Sequence, residues 1–442
     1  MISSWRRTGM TARRTRVSSI KVDAAAEVSV PTHFRCPISL DLMKDPVTMS
    51  SGITYDRESI EAWMEAGNRT CPVSTAVLRS VDPVPNHAIR KMIQEWCVEN
   101  RTFGVERIPT PRIPVSQLDA REMVARVASA VEGKDWGLCK EMAAEVRRVI
   151  KESERNRRCV RSSGAGAVLA KASEELSRTG GFEENSGALE EILSTITAIL
   201  PLDCDAQSSL GSTDSLRALS WLMRNGNVSA RRNSVLAIRE VVLGNKQRVL
   251  ALSATEGVAS ALLKLIKEPI CPLSTKSSLV VIYYMVTLDH PLREKVVSEF
   301  SNAGLVCLLL EALVDADRSV CEKALGVLDG MCDVEDGWKS LISHPLASPL
   351  LVKKLLRVSD LATEFAVSAL WKLGRVCDKN GWFLGELVEL GAFQKLLVLL
   401  QVGCGDTTKE KATELLKSLN VRRETMSECI DGHDFKVLKR PR

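Results

Sequence analysis

The pattern of apolar and polar positions divides the chain into two kinds of segment. Residues 34–97 contain short β-prone runs and two short amphipathic helical patterns, separated by turn residues. Residues 118–420 contain many helical patterns, which are broken by Gly, Asp, Asn and Pro. The sequence therefore predicts a small α+β domain followed by a long all-α domain.

The α+β segment begins with a predicted hairpin. Residues 47–49 and 53–55 are rich in strand formers, and a Ser-Ser-Gly turn joins them. Asp56 is expected to cap a helix, and a second helix is expected to begin at Asn86. The predicted buried face of the second helix consists of residues at i, i+3, i+4, i+7 and i+8, which are Ile89, Met92, Ile93, Trp96 and Cys97.

A degenerate repeat runs through the helical segment. A small residue is followed four positions later by Ile or Leu, at steps of 44, 46, 42 and 46 residues. The pairs are Ser234/Ile238, Ser278/Ile282, Ala324/Leu328, Ala366/Leu370 and Ala412/Leu416. Turn glycines precede several of the partner helices, at Gly257, Gly304 and Gly391. Small residues let helices approach closely, and aliphatic residues fill the layer between repeats. A period near ~42 residues predicts an armadillo-type superhelical solenoid over residues 118–420.

The first part of this segment repeats less clearly. Residues 118–230 predict two or three weaker repeats, and residues 178–186 and 201–213 are predicted as loops because they are rich in Gly, Ser and Asp. The expected buried faces of two helices here are Leu138, Met142, Val146 and Val149, and Leu189, Ile192, Leu193 and Ile196.

The two ends of the chain are basic. Six Lys or Arg residues precede the first acid, Asp23. A transit peptide, an anionic-lipid contact and a nuclear import signal are alternatives to simple solvated extensions. The predicted division is a disordered basic tail at 1–30, the α+β domain at 31–105, a Pro-containing linker at 106–117, the repeats at 118–420 and a C-terminal basic tail at 421–442.

Composition narrows the function classes. A net charge of only +5 over 442 residues argues against a nucleic-acid-binding protein. The 13 cysteines lack a framework spacing, which indicates reduced thiols of the cytosol or nucleus. No apolar run reaches the ~18 residues of a transmembrane helix, so no transmembrane segment is expected. We expect a cytoplasmic protein, and the basic tails leave nuclear and membrane-peripheral locations open.

An ordered set of motifs lies in residues 34–97. The motifs are Cys36-Pro-Ile, Asp45-Pro-Val, Gly52-x-x-Tyr-Asp, Ile60-x-x-Trp, Cys71-Pro and Pro85-Asn-x-x-Ile-Arg-x-x-Ile-x-x-Trp. Their order and spacing resemble the U-box, the zinc-free relative of the RING domain. The resemblance covers this whole segment, and the repeats that follow resemble the armadillo region of plant U-box proteins.

The metal ligands of a RING are missing from this segment. A RING binds zinc through Cys and His, usually with Cys-x-x-Cys pairs. No such pair is present, which makes a zinc or nucleic-acid module the weaker reading, and no metal or cofactor is expected. Hydrogen bonds and ion pairs are expected to hold the loops instead. The candidates are Asp41, Asp45, Asp56, Arg57, Glu58, Asn86 and Arg90.

The resemblance implies a RING-type (U-box) E3 ubiquitin transferase. Such a ligase holds a ubiquitin-conjugating enzyme (E2) and contributes no nucleophile, so no catalytic residue is expected. Two loops, with a central helix between them, frame a shallow groove. A few apolar side chains in the groove provide most of the binding energy of a small interface. Carried over by position, the E2-binding residues are Ile38, Leu40, Trp63, Pro72, Ser74 and Thr75. Ordinary core packing is the alternative reading of Ile38 and Trp63.

Thr75 departs from the family pattern. Many active ligases of this kind have Arg or Lys at the matching position, where the cation holds ubiquitin against the E2. Threonine can donate a hydrogen bond but carries no charge. We therefore expect E2 binding to be kept and the rate gain to be smaller, unless Arg69 or Arg79 substitutes.

The resemblance also implies partners. Besides the E2 and ubiquitin, a protein substrate is expected to bind the armadillo repeats, in plant stress or immune signalling, and homodimerisation is left open. The alternative is an armadillo scaffold or adaptor whose U-box is weakly active or inactive. A thioester-forming cysteine is the less favoured mechanism, because Cys332, Cys377 and Cys404 lie in or beside apolar helical patterns and are expected to be buried, unreactive thiols.

Overall fold

The computed structural model describes residues 29–80, 82–108, 115–178, 183–377 and 382–431. These residues form two compact units that divide between residues 113 and 114. Residues 1–28 of the predicted N-terminal tail and residues 432–442 of the predicted C-terminal tail lie outside the described residues.

The N-terminal unit contains a three-stranded antiparallel sheet with strand order β2-β1-β3. The strands are β1 (Pro46–Thr48), β2 (Thr54–Asp56) and β3 (Val84–Pro85). The helices are α1 (Arg57–Glu65) and α2 (His87–Glu99), with 3-10 turns at Thr32–Phe34 and Arg101–Phe103. The unit is therefore the small α+β domain that the sequence predicts.

The predicted hairpin is confirmed with bounds shifted by one residue. Val47 and Tyr55 are opposite each other in the β1–β2 register, and both side chains are buried. Strand β3 was not predicted. It consists of two residues, and Pro85 is paired with Val47 only because the chain returns to the sheet some 30 positions later.

The buried face of α2 is narrower than the sequence predicts. Ile93 and Cys97 are fully buried, and Ile89 and Trp96 pack beside them. Met92 is 47% exposed, so its prediction as a core residue is wrong. The helix rests on β1 of a small sheet, which covers only a narrow stripe of the helix surface. Ile108, beyond the predicted domain end, is also buried in this core.

The second unit is helical throughout its described residues. The first helices are α3 (Gln117–Glu132), α4 (Trp136–Glu152), α5 (Glu154–Ser162), α6 (Ala165–Arg178), α7 (Ser186–Ala198), α8 (Cys204–Leu210), α9 (Thr213–Asn225), α10 (Val228–Val242), α11 (Lys246–Ser253), α12 (Val258–Lys267) and α13 (Pro272–Val286). The remaining helices are α14 (Leu292–Asn302), α15 (Leu305–Asp315), α16 (Arg318–Met331), α17 (Glu335–Ile342), α18 (Ala347–Lys354), α19 (Asp360–Cys377), α20 (Trp382–Glu389), α21 (Ala392–Val402) and α22 (Asp406–Asp431).

These helices form a repeating stack. The pair α3–α4 is followed, in the described residues, by triplets that begin at α5, α8, α11, α14, α17 and α20. The last helix of each set packs against the last helix of the next, in the order α4, α7, α10, α13, α16, α19 and α22. Each layer thus buries its apolar face against its neighbours, which is how a solenoid builds one continuous core.

The predicted repeat pairs lie where the last helices of successive triplets pack against each other, and this contact region is called the seam. All five pairs, from Ser234/Ile238 to Ala412/Leu416, are buried in the last helices of consecutive triplets. The predicted turn glycines are also confirmed. Gly257, Gly304 and Gly391 are the N-cap residues of α12, α15 and α21, with φ of 76°, 82° and 77°. This left-handed conformation favours glycine because glycine lacks a Cβ atom.

Two predictions for the first repeats are wrong in detail. Of the predicted face of α4, Val146 is buried and Met142 and Val149 pack against the core, but Leu138 is 42% exposed. The other buried residues of this helix are Cys139, Ala143 and Ile150. Residues 201–213 are not simply a loop, because they contain α8, which packs against α6. The expected face of α7 is confirmed, since its four apolar residues are all buried.

A hydrogen bond fixes the described start of the helical unit, and the last helix extends further than the sequence predicts. Asn156 Oδ1 accepts a hydrogen bond from Val115 N (3.1 Å), which attaches the end of the predicted linker to α5. Helix α22 continues past Asn420 to Asp431, so part of the segment predicted as a tail is helical.

Among the described helices, none is by itself both long enough and apolar enough to span a membrane. Two bent helix pairs satisfy the criterion by length and composition, namely Lys246–Ser253 with Val258–Lys267 and Leu292–Asn302 with Leu305–Asp315.

The repeat seam makes a testable prediction for stability. Leu328 is fully buried in α16, between α13 and α19. We expect Leu328→Ala to lower the free energy of unfolding by about 2–5 kcal/mol, because it leaves a cavity in the seam. Chemical denaturation measures the loss, and hydrogen exchange shows whether α13, α16 and α19 open together. Leu118→Ala, at an exposed position of α3, is the control. Equal effects of the two variants would refute the seam as the source of stability.

Candidate functional site

Two loops of the N-terminal unit are built on the same backbone template. The first loop is residues 36–41 and the second is residues 71–76. In the first, Leu40 N donates to Cys36 O and Cys36 N donates to Asp41 O, both at 2.8 Å. In the second, Thr75 N donates to Cys71 O and Cys71 N donates to Ala76 O, also at 2.8 Å. The Cys-Pro-apolar-Ser sequence is therefore folded twice into the same turn.

The last position of each turn is strained in the same way. Leu40 has φ of 62° and Thr75 has φ of 57°, a left-handed conformation that side chains with Cβ rarely adopt. Strained residues of this kind persist only where surrounding contacts fix them, and they concentrate at functional sites. The two loops are therefore candidates for a binding surface.

The Asp56 carboxylate fixes the segment between the first loop and β1 rather than capping its own helix. It occupies the N-cap position of α1, but its side chain makes no capping hydrogen bond there, so the predicted capping role is wrong. Instead, its Oδ1 accepts hydrogen bonds from Lys44 N and Asp45 N, each at 2.8 Å. The carboxylate thus accepts hydrogen bonds from two backbone amides just before β1. Two charge-assisted hydrogen bonds stabilise the fold more than the single hydrogen bond of a helix cap would.

Asp45 joins three segments through ion pairs. Its Oδ2 accepts from Arg57 Nε at 2.7 Å, and its Oδ1 accepts from Arg90 Nη2. Arg57 begins α1 and Arg90 lies on α2, and all three side chains are largely shielded from solvent. Both cations are among the predicted candidates, and the structure shows that they share one carboxylate.

Asn86 connects α2 to the hairpin. Its Oδ1 accepts from Ile89 N (3.0 Å) and caps α2, as predicted, while its Nδ2 contacts Thr48 Oγ1 at 3.1 Å and Thr54 Oγ1 at 3.4 Å. The remaining candidates contribute less directly: Asp41 through its backbone, and Glu58 as an exposed residue in the first turn of α1.

The second loop is attached to α1 and to the sheet. Trp63 Nε1 donates to Thr70 O at 2.9 Å, and Asn68 Nδ2 donates to Trp63 O at 3.0 Å. Beneath the loop, the Tyr55 hydroxyl lies 3.0 Å from Cys71 Sγ. Helix α1 is therefore held between the first loop at its N-terminus and the second loop along its side.

The predicted site residues fall on these two loops and α1. Leu40 is 70% exposed, Ser74 and Thr75 are exposed, and Ile38, Trp63 and Pro72 are half-buried. Ile38 and Trp63 also pack against the core, which supports the core-packing reading of these two residues. Their contact with an E2 stays a prediction, because no partner chain is present.

Sequence reasoning missed one residue of this surface. Val73 is 55% exposed and occupies the position in the second loop that Ile38 occupies in the first. The signal was the repeated Cys-Pro-apolar-Ser pattern, which pairs the two loops position by position. Val77, just beyond the loop, is 75% exposed and enlarges the apolar surface.

The hydroxyl group of Thr75 makes a hydrogen bond within its own loop. Its hydroxyl donates to Ser74 O at 2.7 Å. Leu78 N donates to Arg69 O, so Arg69 and Arg79 lie where the second loop begins and ends, whereas Thr75 lies at its tip. The backbone therefore places neither cation at the position that Thr75 occupies.

In the helical unit, the three cysteines considered as thioester formers show little sign of reactivity. Cys332 is buried, as predicted, and burial raises the pKa of its thiol. Cys377 and Cys404 are half-buried, and burial raises the pKa of both. Across the described ranges, no three His, Cys, Asp or Glu side chains converge in a manner that could hold a metal ion.

Comparison with known protein families now decides the family. The U-box domain model matches residues 30–102, and the model of the plant U-box protein ARM repeat region matches residues 121–439. The chain belongs to the plant U-box proteins with armadillo repeats. The N-terminal unit is thus the U-box, and the helical unit is the armadillo region.

Relatives align with nearly the whole chain. The chain is 44% identical to the U-box domain-containing protein 21 of Arabidopsis thaliana, covering 94% of each chain. It is 32% identical to the E3 ubiquitin-protein ligase PUB23 of the same plant, over 91% of this chain and 96% of that one. The family therefore includes U-box E3 ubiquitin ligases, which supports ubiquitin transferase activity for this chain.

Solved structures include armadillo repeat proteins. A computationally designed armadillo repeat protein for modular peptide recognition is similar with a TM-score of 0.45 and 20% sequence identity, over 56% of this chain and 99% of that one.

The Asp45 ion pairs give a prediction for the U-box. We expect Asp45→Asn to lower the free energy of unfolding by about 2 kcal/mol, because Arg57 and Arg90 lose a shared charged acceptor. Thermal or urea unfolding of the full chain, with hydrogen exchange of α1 and α2, measures the effect. The control is Glu95→Gln, which removes an exposed pair with Lys91 and should change stability by less than about 0.5 kcal/mol. Unchanged protection of α1 and α2 in Asp45→Asn would contradict the assigned role.

Proposed function

We propose that the protein is an E3 ubiquitin ligase whose U-box binds a ubiquitin-charged E2 and whose armadillo repeats recruit the substrate. The E2 would lie across the first and second loops and α1. Ile38, Leu40, Trp63, Pro72, Ser74 and Thr75 form this surface together with Val73.

The observation that carries the proposal is the pair of matched loops. Each loop presents an apolar side chain to solvent, Leu40 at 70% exposure and Val73 at 55%. Each is fixed by hydrogen bonds within the loop and to the sheet or α1. Exposed apolar side chains on a rigid backbone bind a partner with little loss of conformational entropy, which suits a small and transient interface.

The proposed mechanism is positioning without a covalent intermediate on the ligase. The ligase holds the ubiquitin thioester in one reactive pose. This raises the effective concentration of the thioester carbonyl at the substrate lysine that attacks it. The cysteines of the two loops support this reading, since Cys36 and Cys71 are both buried and their sulfur atoms accept hydrogen bonds inside the U-box. Neither thiol is presented to a thioester at the surface.

The armadillo region offers a face for the substrate along the last helices of its triplets. Tyr283 on α13 and Phe365 on α19 have ring centroids 5.9 Å apart, and they meet above Gly326 of the intervening helix α16. On α19, Trp371 lies against Arg375 at 4.8 Å and donates to Glu414 of α22 at 2.8 Å. Aromatic and Arg side chains of this kind dominate the energetics of protein interfaces. The cellular pathway and a cytoplasmic location stay predictions.

Thr75 favours a second candidate function. Because its hydroxyl is bonded to Ser74 O and it carries no charge, it offers ubiquitin no cation. The chain would then act mainly as an armadillo scaffold, with a U-box that binds an E2 but stimulates it weakly. The two candidates differ in the rate of ubiquitin discharge, not in E2 binding.

Autoubiquitination tests the ligase function. The full chain is combined with purified activating enzyme, ubiquitin and a panel of E2 enzymes. We expect ubiquitin chains from the wild type and at least about a tenfold loss of rate in Ile38→Ala and Trp63→Ala, because anchors of a small interface carry most of its binding energy. Val421→Ala, at an exposed position of α22, should be as active as the wild type. No chains from the wild type with any E2 would reject the ligase and favour the scaffold.

Thr75→Arg tests the departure from the family pattern. We expect this variant to speed discharge of ubiquitin from the E2 to free lysine by about tenfold, with little change in E2 affinity, because a cation at the loop tip can hydrogen-bond the linked ubiquitin. Single-turnover discharge and calorimetric binding separate the two quantities. Thr75→Lys is the matched control for charge without the guanidinium fork. An unchanged rate in both variants would show that Thr75 does not limit activity.

A further inference from the structure

Cys71 is the first residue of the second loop, and its side chain is buried. It is 1% exposed, and its Sγ accepts a hydrogen bond from Ser74 N at 3.4 Å. The hydroxyl of Tyr55 lies 3.0 Å from the same sulfur. One atom therefore contacts both the exposed part of the loop and the sheet beneath it.

Tyr55 is a rigid anchor for this contact. It is fully buried on β2, directly opposite Val47 of β1 in the strand register. The first loop is attached differently, because Cys36 Sγ accepts from a backbone group, Asp56 N, at 3.3 Å, and the Asp56 carboxylate holds the adjacent amides. The two loops share one template, but the second is joined to its sheet by a side chain hydroxyl and a sulfur.

The ionisation of the Cys71 thiol follows from these neighbours. Burial raises its pKa, but the nearby hydroxyl groups of Ser51, Ser74 and Tyr55 outweigh burial and lower the pKa to about 6. Burial and the neighbouring sulfur together raise the pKa of Tyr55, so the phenol stays protonated and donates to Cys71. The other titratable group that faces Tyr55 is the thiol of Cys36, across from the second loop.

The sign of the pH effect follows from the lowered pKa. A thiol whose pKa is lower in the folded state stabilises that state fully at a pH above its unfolded value and loses this contribution as the pH falls through the folded value. The negative sulfur is also the stronger acceptor for Tyr55 and Ser74. Acidification below neutral pH should therefore loosen the second loop.

We infer that Cys71 is a positioning residue for E2 binding, whose sulfur atom fastens the second loop to Tyr55 and so places Val73 and Ser74 on the binding surface. This rests on the proposed E2-binding function of the U-box. A loop that is ordered only part of the time lowers the apparent affinity in proportion to the fraction of molecules with the correct loop. Cys71 acts through the loop and does not touch the E2.

The test uses the full chain and an E2 selected by the autoubiquitination assay. Tyr55→Phe removes the hydroxyl and keeps the ring, and Cys71→Ser keeps a short acceptor that cannot ionise. Cys97→Ala is the matched control, because it removes a fully buried sulfur from α2 in the same core. Calorimetry gives the E2 affinity between about pH 8 and about pH 5, and hydrogen exchange gives the protection of the second loop in the free protein.

We expect Tyr55→Phe to bind the E2 about fivefold more weakly at pH 8, with faster exchange confined to the second loop. The wild-type affinity should fall on acidification, whereas Cys71→Ser should lose this pH dependence and keep partial affinity. Cys97→Ala should match the wild type in affinity and pH profile. A role of Cys71 in stability alone would not produce this difference between pH profiles.

The outcomes that overturn the inference are separate from those that overturn the function. If the wild type binds the E2 and both Tyr55→Phe and Cys71→Ser match its affinity and pH profile, only the positioning role fails. If Cys97→Ala weakens binding as much as Cys71→Ser, the effect is general destabilisation and the positioning role again fails. If the wild type binds no E2, the proposed E2-binding function fails and the inference fails with it.

Discussion

The constraint on which the U-box depends is the network of hydrogen bonds and ion pairs that fixes its loops. Asp56 is central to it, because its carboxylate accepts two backbone amides at the entry to β1 while its own amide donates to Cys36 Sγ. Asp45, placed by that contact, then pairs with cations of α1 and α2. One short chain of charge-assisted contacts thus ties a loop, a sheet and two helices together. Removing an acceptor from such a set leaves buried donors unsatisfied, which costs more than a typical hydrogen bond contributes.

This way of holding the loops suits a protein that works by positioning. The proposed partner surface includes exposed apolar side chains, and two of its residues, Leu40 and Thr75, hold a strained backbone conformation. Strain of this kind persists only if the rest of the domain fixes it. The rigidity that the ion pairs provide is therefore part of the proposed activity, since a flexible loop would lose entropy on binding.

The armadillo region solves a different physical problem. No triplet can bury its own apolar face, so stability comes from the seam between successive last helices. Small residues such as Ala324 allow close approach, and Gly326 leaves room for Tyr283 and Phe365 to meet across a helix. The same stacking places Tyr283, Phe365 and Trp371 on the last helices of two triplets, and these helices form the surface proposed for a protein partner.

The sequence by itself determined the features that depend on local pattern. The 42- to 46-residue steps identified the seam residues from Ser234 to Leu416, the glycines at helix starts followed from the left-handed backbone there, and the motif order identified the U-box. Both loops were found because Cys-Pro turns are local structures. Periodicity also gave the face of α7, where every expected apolar residue is buried.

Only the tertiary structure decided which polar group pairs with which, and how much of each helix is covered. Asp56 has the sequence context of a helix cap, but its side chain serves distant amides instead, and a pattern confined to neighbouring residues carries no information about that choice. Met92 fits the helical period of α2, but a three-stranded sheet is too small to cover it. The contact of Tyr55 with Cys71 joins residues 16 positions apart, and its geometry arises only when the sheet and the second loop are brought together.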